Sequence, residues 1–282
     1  MEKIFAWLLA CLMSWGVSAP TQAGEATPPP QELTVMSFNV WTDKNTLQAR
    51  TNGVMQTILK EMPDSVGLQE AHARWRLTFA WELRERYGMA CWIGRDFAFD
   101  EGVPILYNKE KYRLLRQGVF WLSETPDVVS GGWDTVHNRI AGYAVLQDKQ
   151  TGFTYVHFNT HFDNLSALAR ENSATLLLER IQEFGDLPVV ITGDLNTTST
   201  QPPVQTLLTG GLRDTRELAT VTDTGATMNI EGATPIDFVL VDDYTQSVQE
   251  FKVIREQYDG RYPSDHYAVC ATFTLSMTAK ES

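Results

Sequence analysis

Asp194 and Asn196 stand two residues apart at the end of Val189-Val190-Ile191-Thr192-Gly193, an apolar and β-branched run that reads as a buried strand. A strand that delivers a carboxylate and a carboxamide to its C-terminal end makes a rigidly held polar site. Gly193 is expected to let the backbone come close to a ligand. The arrangement recurs. Apolar strand-like runs begin or end at Asn39, Glu70, Glu101, Arg139, His161, Asp237 and the pair Asp265-His266. A single strand-end acid is usually a turn or cap residue. Repetition along one chain points instead to chemical groups gathered on loops that a rigid scaffold holds.

The residue types select the chemistry. Acids and amides supply oxygen ligands, which suit a hard divalent cation such as Mg2+ or Mn2+. Cysteine is absent from the set and histidine sparse, which excludes a closed structural Zn2+ site. His161 and His266 suit proton transfer near neutral pH. Arg139 offers a forked donor for phosphate. Together these groups suit metal-assisted hydrolysis of a phosphate ester, in which phosphate oxygens are neutralised and water is activated.

Six segments carry a family resemblance: Ser37-Phe38-Asn39-Val40, Leu68-Gln69-Glu70, Asn159-Thr160-His161, Gly193-Asp194-Leu195-Asn196, Ile236-Asp237-Phe238 and Ser264-Asp265-His266. In this order the chain resembles the endonuclease/exonuclease/phosphatase superfamily, from about residue 33 to residue 275. Trp121 to Pro126 and Gly260 to His266 are similar to a bacterial subgroup of it. The resemblance implies a DNase I-like fold and a role for each matching residue. Glu70 is implied as the principal metal ligand, with Asp265 beside it and Asn39 helping to place metal and phosphate. Asp194 and Asn196 are implied to orient the attacking water and bind phosphate oxygen. His266 is implied beside the scissile phosphate, oriented by Asp237, and His161 as a donor to phosphate or leaving group. Glu101 is expected to orient His161, and Arg139 to contact phosphate. The general base is Asp194 or His266.

These groups need elements to position them. Strands are expected at residues 33–40, 65–70, 91–93, 101–107, 112–123, 140–146, 152–160, 236–241, 248–255 and 267–275, besides the run that ends at Asp194. Helices are expected at 46–62, 72–87, 165–184 and 202–209. The third has the clearest stripe, Ala174, Leu177, Leu178 and Ile181, closed by Gly185. Strands and helices mix without a strict βαβ rhythm. That favours an α+β class, an α/β sandwich of two packed, mostly antiparallel sheets flanked by helices. With the resemblance, it becomes a four-layer αββα arrangement.

The N-terminus reads as a signal peptide over residues 1–23: Lys3, the apolar run Ile4 to Val17, and small residues before a cleavage after Ala23. Leu8-Leu9-Ala10-Cys11 imitates a lipoprotein box, but the apolar run continues past it. The run is shorter than the ~20 residues of a spanning helix. Residues 24–31 read as a disordered entry, 32–276 as one catalytic domain and 277–282 as a flexible tail. The expectation is a secreted or periplasmic, soluble monomer.

Glu2 and Lys3 cancel, so processing leaves the net charge at -12. Such acidity argues against coating nucleic acid through a basic surface. Cys91 and Cys270 are read as buried thiols rather than a disulfide. His157 is read as a core or sheet-surface histidine, His72 as a solvent-exposed helix start and His137 as a loop residue open to a substrate role. Trp121 and Trp133 are read as loop packing rather than stacking platforms. No aromatic hairpin for membrane insertion is read.

The function expected is a Mg2+-dependent phosphoesterase that cleaves phosphodiester bonds in the manner of a nuclease, with nucleic acid as a candidate substrate. The alternative is a phosphomonoesterase acting on sugar or inositol phosphates. The complete polar set argues against a non-catalytic binding module, and the lack of closely spaced histidines against a Zn2+ hydrolase.

Overall fold

A computed structural model of the chain describes residues 27–96 and 99–279. The expected signal peptide, the first residues of the entry segment and the last three of the tail lie outside the described residues. The first half contains β1 (Gln31–Asn39), α1 (Leu47–Glu61), β2 (Ser65–Gln69), α2 (Ala73–Glu82), β3 (Tyr87–Ala90), β4 (Ile105–Asn108) and β5 (Tyr112–Trp121). Then come β6 (Ile140–Asp148), β7 (Thr154–His161), α3 (Ala167–Gln182), β8 (Val189–Asp194), α4 (Pro202–Thr209) and β9 (Arg213–Asp214). The chain ends with α5 (Thr215–Leu218), β10 (Val221–Thr222), β11 (Asp237–Val241), β12 (Thr245–Ile254) and β13 (Ala268–Leu275).

Two sheets result, with strand orders β10-β12-β13-β1-β2-β4-β3 and β5-β6-β7-β8-β11-β9. Most pairings are antiparallel; β1–β2, β7–β8 and β10–β12 are parallel. One apolar cluster, including Leu33, Val35, Tyr155, Val190, Val239 and Phe273, lies between the sheets. A second packs the six-stranded sheet against α3 and α4 through Phe158, Leu177, Ile191, Leu207 and Phe238. A third packs the seven-stranded sheet against α1 and α2 through Phe38, Val54, Leu68 and Trp75. The layering is therefore αββα, the DNase I-like arrangement that the resemblance implied.

Strand periodicity explains how this frame holds a site. Side chains alternate between faces. The inward face of β1 carries Leu33 and Val35, then Ser37 and Asn39. That of β7 carries Tyr155, then His157, Asn159 and His161. That of β8 carries Val190, Thr192 and Asp194. Each inner face changes from apolar to polar toward one edge of the sandwich.

Behind that edge the polar groups satisfy one another. His157 Nδ1 meets Ser65 Oγ at 2.9 Å and its Nε2 meets Thr192 Oγ1 at 2.8 Å. Gln69 Nε2 donates to Asn159 Oδ1 at 2.7 Å, and Asn159 Nδ2 donates to the Leu68 carbonyl at 2.8 Å. His157 is thus a core histidine, and burial pushes it down to about 3.

Gly67 sits where this seam is tightest. A Cβ there would lie 1.8 Å from Thr192 Oγ1 and 2.5 Å from Asn159 Oδ1. Gly67→Ala is therefore expected to destabilise the protein by about 3 kcal/mol through overpacking and broken seam hydrogen bonds. Urea unfolding measures this; a loss under about 0.5 kcal/mol would show that the sheets part without cost. Gly193 serves a similar end. Its Cβ would meet the Thr160 carbonyl of the neighbouring strand at 2.8 Å, so its smallness serves strand packing rather than ligand approach.

Several local expectations change. Residues 91–93 are not a strand: β3 ends at Ala90, and Cys91 turns the chain at φ 62°. The strand expected from Glu101 starts only after Pro104, which lacks an N–H for a ladder. The helix expected over 72–87 stops at Glu82. The short elements β9, α5 and β10 carry no readable period. Gln31 is in β1 rather than in a disordered entry, and Met277 packs on the inter-sheet core. Cys91 and Cys270 are both buried and free, in different clusters, and burial pushes each up to about 12.

No helix among the described residues is long and apolar enough to cross a membrane. An apolar patch that the sequence reading did not foresee is nevertheless present: Leu77, Trp92, Ile93 and Phe99 are exposed and line one cavity.

Candidate active site

Register assembles the first half of the site. In the β7–β8 ladder His161 stands beside Asp194, and in the β8–β11 ladder Asp194 stands beside Asp237. Three adjacent strands thus present a histidine and two acids in a row. The seven-stranded sheet supplies Asn39 from the end of β1, Glu70 just past β2 and Asp265-His266 just before β13. Trp41, Glu70 and Asn196 all have left-handed backbone, at φ 58°, 56° and 50°. Each costs about 1 kcal/mol in a residue with a Cβ. Such strain collects where a chain must turn sharply to aim a side chain.

Asn39 joins the halves. Its Nδ2 donates to Glu70 Oε1 and to Asp194 Oδ2, each at 3.0 Å, and its Oδ1 accepts from the Trp41 N–H at 3.0 Å. With both amide hydrogens and one oxygen lone pair in use, Asn39 positions two carboxylates. Asp194 Oδ1 accepts from the Asn196 N–H at 2.9 Å, and the Asn196 amide donates to the Phe162 carbonyl at 3.0 Å. Burial, then the nearby Asp237, raises the Asp194 carboxyl to about 7.

The histidines differ in state. Arg139 Nη1 lies 3.2 Å from His161 Nδ1. A guanidinium only donates, so Nδ1 accepts and the imidazole proton sits on Nε2. Nε2 faces Asp194 Oδ2 at 3.5 Å. Burial, reinforced by Arg139 and His266, holds His161 well below its ordinary value. His161 is therefore a neutral Nε2–H donor.

His266 Nδ1 is 2.9 Å from Asp237 Oδ2, and its Nε2 is 3.7 Å from Asp194 Oδ2. Burial opposes a charge on His266. Asp237, Asp194 and Asp265 outweigh it and raise the imidazole to about 10.

Glu101 lines the same cleft, but its Oε2 accepts from Arg95 Nη1 at 3.0 Å. The group that orients His161 is Arg139, not Glu101. Arg139 is itself buried and engaged, with Nε 3.5 Å from Asp163 Oδ2 and Nη2 donating to Asn164 Oδ1 at 3.0 Å. It is less a free phosphate fork than the support of His161. Arg95, Asp163 and Asn164 carried no sequence motif. The available signal was the Asp163-Asn164 pair, two and three residues after His161.

A metal fits the carboxylate end. Glu70 and Asp265 face one cleft, and Asp265 is raised by burial and, against His266, by the charge of Glu70. Oxygen donors under mutual repulsion suit a hard divalent cation. Asp194, Asp237 and His266 also bring possible ligand atoms within 4.8 Å of one another. The 2.9 Å hydrogen bond between Asp237 and His266 makes that trio better suited to handling a proton.

The remaining aromatic and histidine residues also find places. His72 caps α2 through Nδ1, which accepts from the Arg74 N–H at 3.2 Å, but it is buried rather than solvent-exposed. Burial pushes it down to about 4. His137 is exposed at the cleft rim. Trp121 is buried and donates to the Arg95 carbonyl, and Trp133 packs against the α3 layer.

A sandwich with acids, amides and histidines at one edge defines a phosphoesterase-like class. The chain belongs to the endonuclease/exonuclease/phosphatase family, whose model matches residues 36–266. Members are typically phosphoester hydrolases and generally use divalent metals. A family protein from Bacteroides vulgatus superposes with a TM-score of 0.82 at 32% identity, covering 87% of this chain and 100% of that one. A mannosyl-6-phosphatase from Bacteroides thetaiotaomicron superposes with a TM-score of 0.79 at 30% identity, covering 86% and 99%. An uncharacterised protein, L388, of Acanthamoeba polyphaga mimivirus is 34% identical over 98 residues. That match takes in 33% of this chain, and the chain spans only 36% of that curated relative.

Proposed function

We propose that the protein is an exported phosphomonoesterase, dependent on Mg2+ or Mn2+, that hydrolyses a small phosphate ester of the sugar-phosphate kind. The charge of the cleft carries this reading. The cavity of about 290 Å3 holds Glu70, Glu101, Asp194 and Asp265 against two arginines, Arg95 and Arg139, each already beside a carboxylate. One phosphate with its cation balances such a site. A polynucleotide brings a charge at every nucleotide and needs a basic track. The likeness to a mannosyl-6-phosphatase supports the monoester over the diester.

Glu70 and Asp265 would hold the cation, which when bound neutralises phosphate oxygens and polarises the phosphorus. Asp194, steadied by Asn39 and the Asn196 N–H, takes a proton from the attacking water; a carboxyl near 7 matches that task. His161 donates its Nε2–H to a phosphate oxygen. His266, held as an imidazolium by Asp237, donates from Nε2 as the ester P–O bond breaks. The products are inorganic phosphate and an alcohol.

The test is turnover by purified protein with Mg2+ or Mn2+. An about 100-fold preference in kcat/KM for a sugar monophosphate over bis-p-nitrophenyl phosphate is expected. Cleavage of single-stranded DNA or RNA without release of inorganic phosphate from any monoester would reinstate the nuclease reading. Export is tested by finding Gly24 as the first residue of the secreted protein.

A further inference from the structure

We infer that the end of the cleft beyond His161 is a hydroxyl-reading subsite, in which Glu101 and Arg95 hold neighbouring hydroxyls of a neutral polyol leaving group. The inference rests on the phosphomonoesterase reading above and names what that enzyme selects. Arg95 is anchored on both sides, with Nε 3.4 Å from Asp100 Oδ2 and Nη1 3.0 Å from Glu101 Oε2. Their side chains are largely buried, at 12% exposure for Arg95 and 18% for Glu101, yet both line the cleft. The same pair also lines a small inner recess of about 10 Å3 bounded by Gly102 and Asn138. Since Arg139 already orients His161, the Glu101–Arg95 pair is left over by the chemistry.

The pair has the right functional groups. A carboxylate only accepts and a guanidinium only donates, and each has more sites than the one bond between them uses. A sugar hydroxyl does both. One hydroxyl donating to Glu101 and its neighbour accepting from Arg95 would satisfy both groups at once. Asn164 adds a donor, because Arg139 occupies its Oδ1 and leaves the amide nitrogen.

The same walls reject other leaving groups. None of the cleft residues is Phe, Tyr or Trp, so the rings its lining offers a nucleobase are the imidazoles of His137 at the rim and of the buried His161 and His266. Both arginines are compensated by carboxylates, so a second phosphate finds no uncompensated arginine. The leaving group that remains is a polyol carrying a single phosphate.

Substrate and protein changes combine in the test. Inorganic phosphate release is followed from glucose 6-phosphate and mannose 6-phosphate, from their deoxy analogues and from p-nitrophenyl phosphate. Wild type, Glu101→Gln and Arg95→Lys are compared, and melting temperatures establish that each variant is folded. Wild type is expected to favour a parent sugar phosphate over at least one deoxy analogue by about tenfold in kcat/KM. Glu101→Gln should shrink that ratio to about threefold or less, through KM rather than kcat. Should Glu101→Gln fail to fold, the same loss is read in Arg95→Lys.

An undiminished deoxy ratio in the folded variants would overturn the subsite while leaving the phosphomonoesterase reading standing. So would an equal loss of kcat on p-nitrophenyl phosphate and on the sugars, which would place Glu101 in the chemistry. If wild type releases phosphate from no sugar but cleaves bis-p-nitrophenyl phosphate, both the reading and the subsite fall.

Discussion

His266→Ala is expected to lower kcat by about 10^3-fold, the usual contribution of a positioned acid–base group. It should also destabilise the protein, because Asp237 is fully buried and His266 is its charge partner. The Asp237 Oδ1 has no hydrogen-bond partner among the described residues, and the other cation near that acid is buried Arg216, whose Nη2 donates to the Asp237 carbonyl at 3.4 Å. Removing one member of a buried ion pair costs about 3 kcal/mol. The double variant His266→Ala/Asp237→Asn should therefore recover most of the stability and none of the activity.

The pH dependence of this effect has a definite sign in protein freed of metal by chelation. His266 titrates near 10 in the fold and near its ordinary value, about 6.5, when unfolded. A raised value means that its stabilisation is complete below about pH 6.5 and declines as pH rises toward 10. The stability gap between wild type and His266→Ala should narrow over that window. Urea titrations at pH 6, 8 and 10 measure it. A gap that widens with pH, or a double variant that regains turnover, would contradict the assignment of His266 and Asp237 as a charge pair.

Glu70→Gln should separate metal binding from folding. In wild type, Mg2+ or Mn2+ at about 100 times its Kd adds about 2.7 kcal/mol. For a domain of this size that is a rise of about 5–10 °C in Tm. The variant should lose this rise and about 10^2-fold or more in kcat/KM. Its metal-free melting temperature should stay within about 4 °C of wild type. The amide gives up one of the carboxylate's acceptors, used by the Asn39 side chain and the Thr42 N–H, but relieves repulsion of Asp265. Calorimetry with and without EDTA decides. An unchanged metal-induced shift in Glu70→Gln would remove Glu70 from the metal site.

Much of the site was readable because its residues end strands. Periodicity in β1, β7 and β8 is local, and the change from apolar to polar along each inner face is visible in the chain itself. The α3 stripe was readable for the same reason: Ala174 and Leu177 are buried, with Leu178 and Ile181 packed beside them. Where the reading failed, the cause was specific. Pro104 delayed β4, Cys91 broke a strand with left-handed backbone, and two-residue strands have no period.

The sequence by itself determined which side chains could do chemistry, that they would meet at strand ends, and that two sheets would carry them. Partnership was left to the tertiary structure. Register sets His161, Asp194 and Asp237 side by side. The close seam at Gly67 brings Asn39 within reach of Asp194. The antiparallel β6–β7 pairing brings Arg139 to His161, and Arg95 meets Glu101, pairs 22 and 6 residues apart in the chain. The physical reason is one of range. Alternation and capping are encoded within a few neighbouring residues, whereas hydrogen-bond partners depend on how strands distant in sequence align and how closely two sheets can approach.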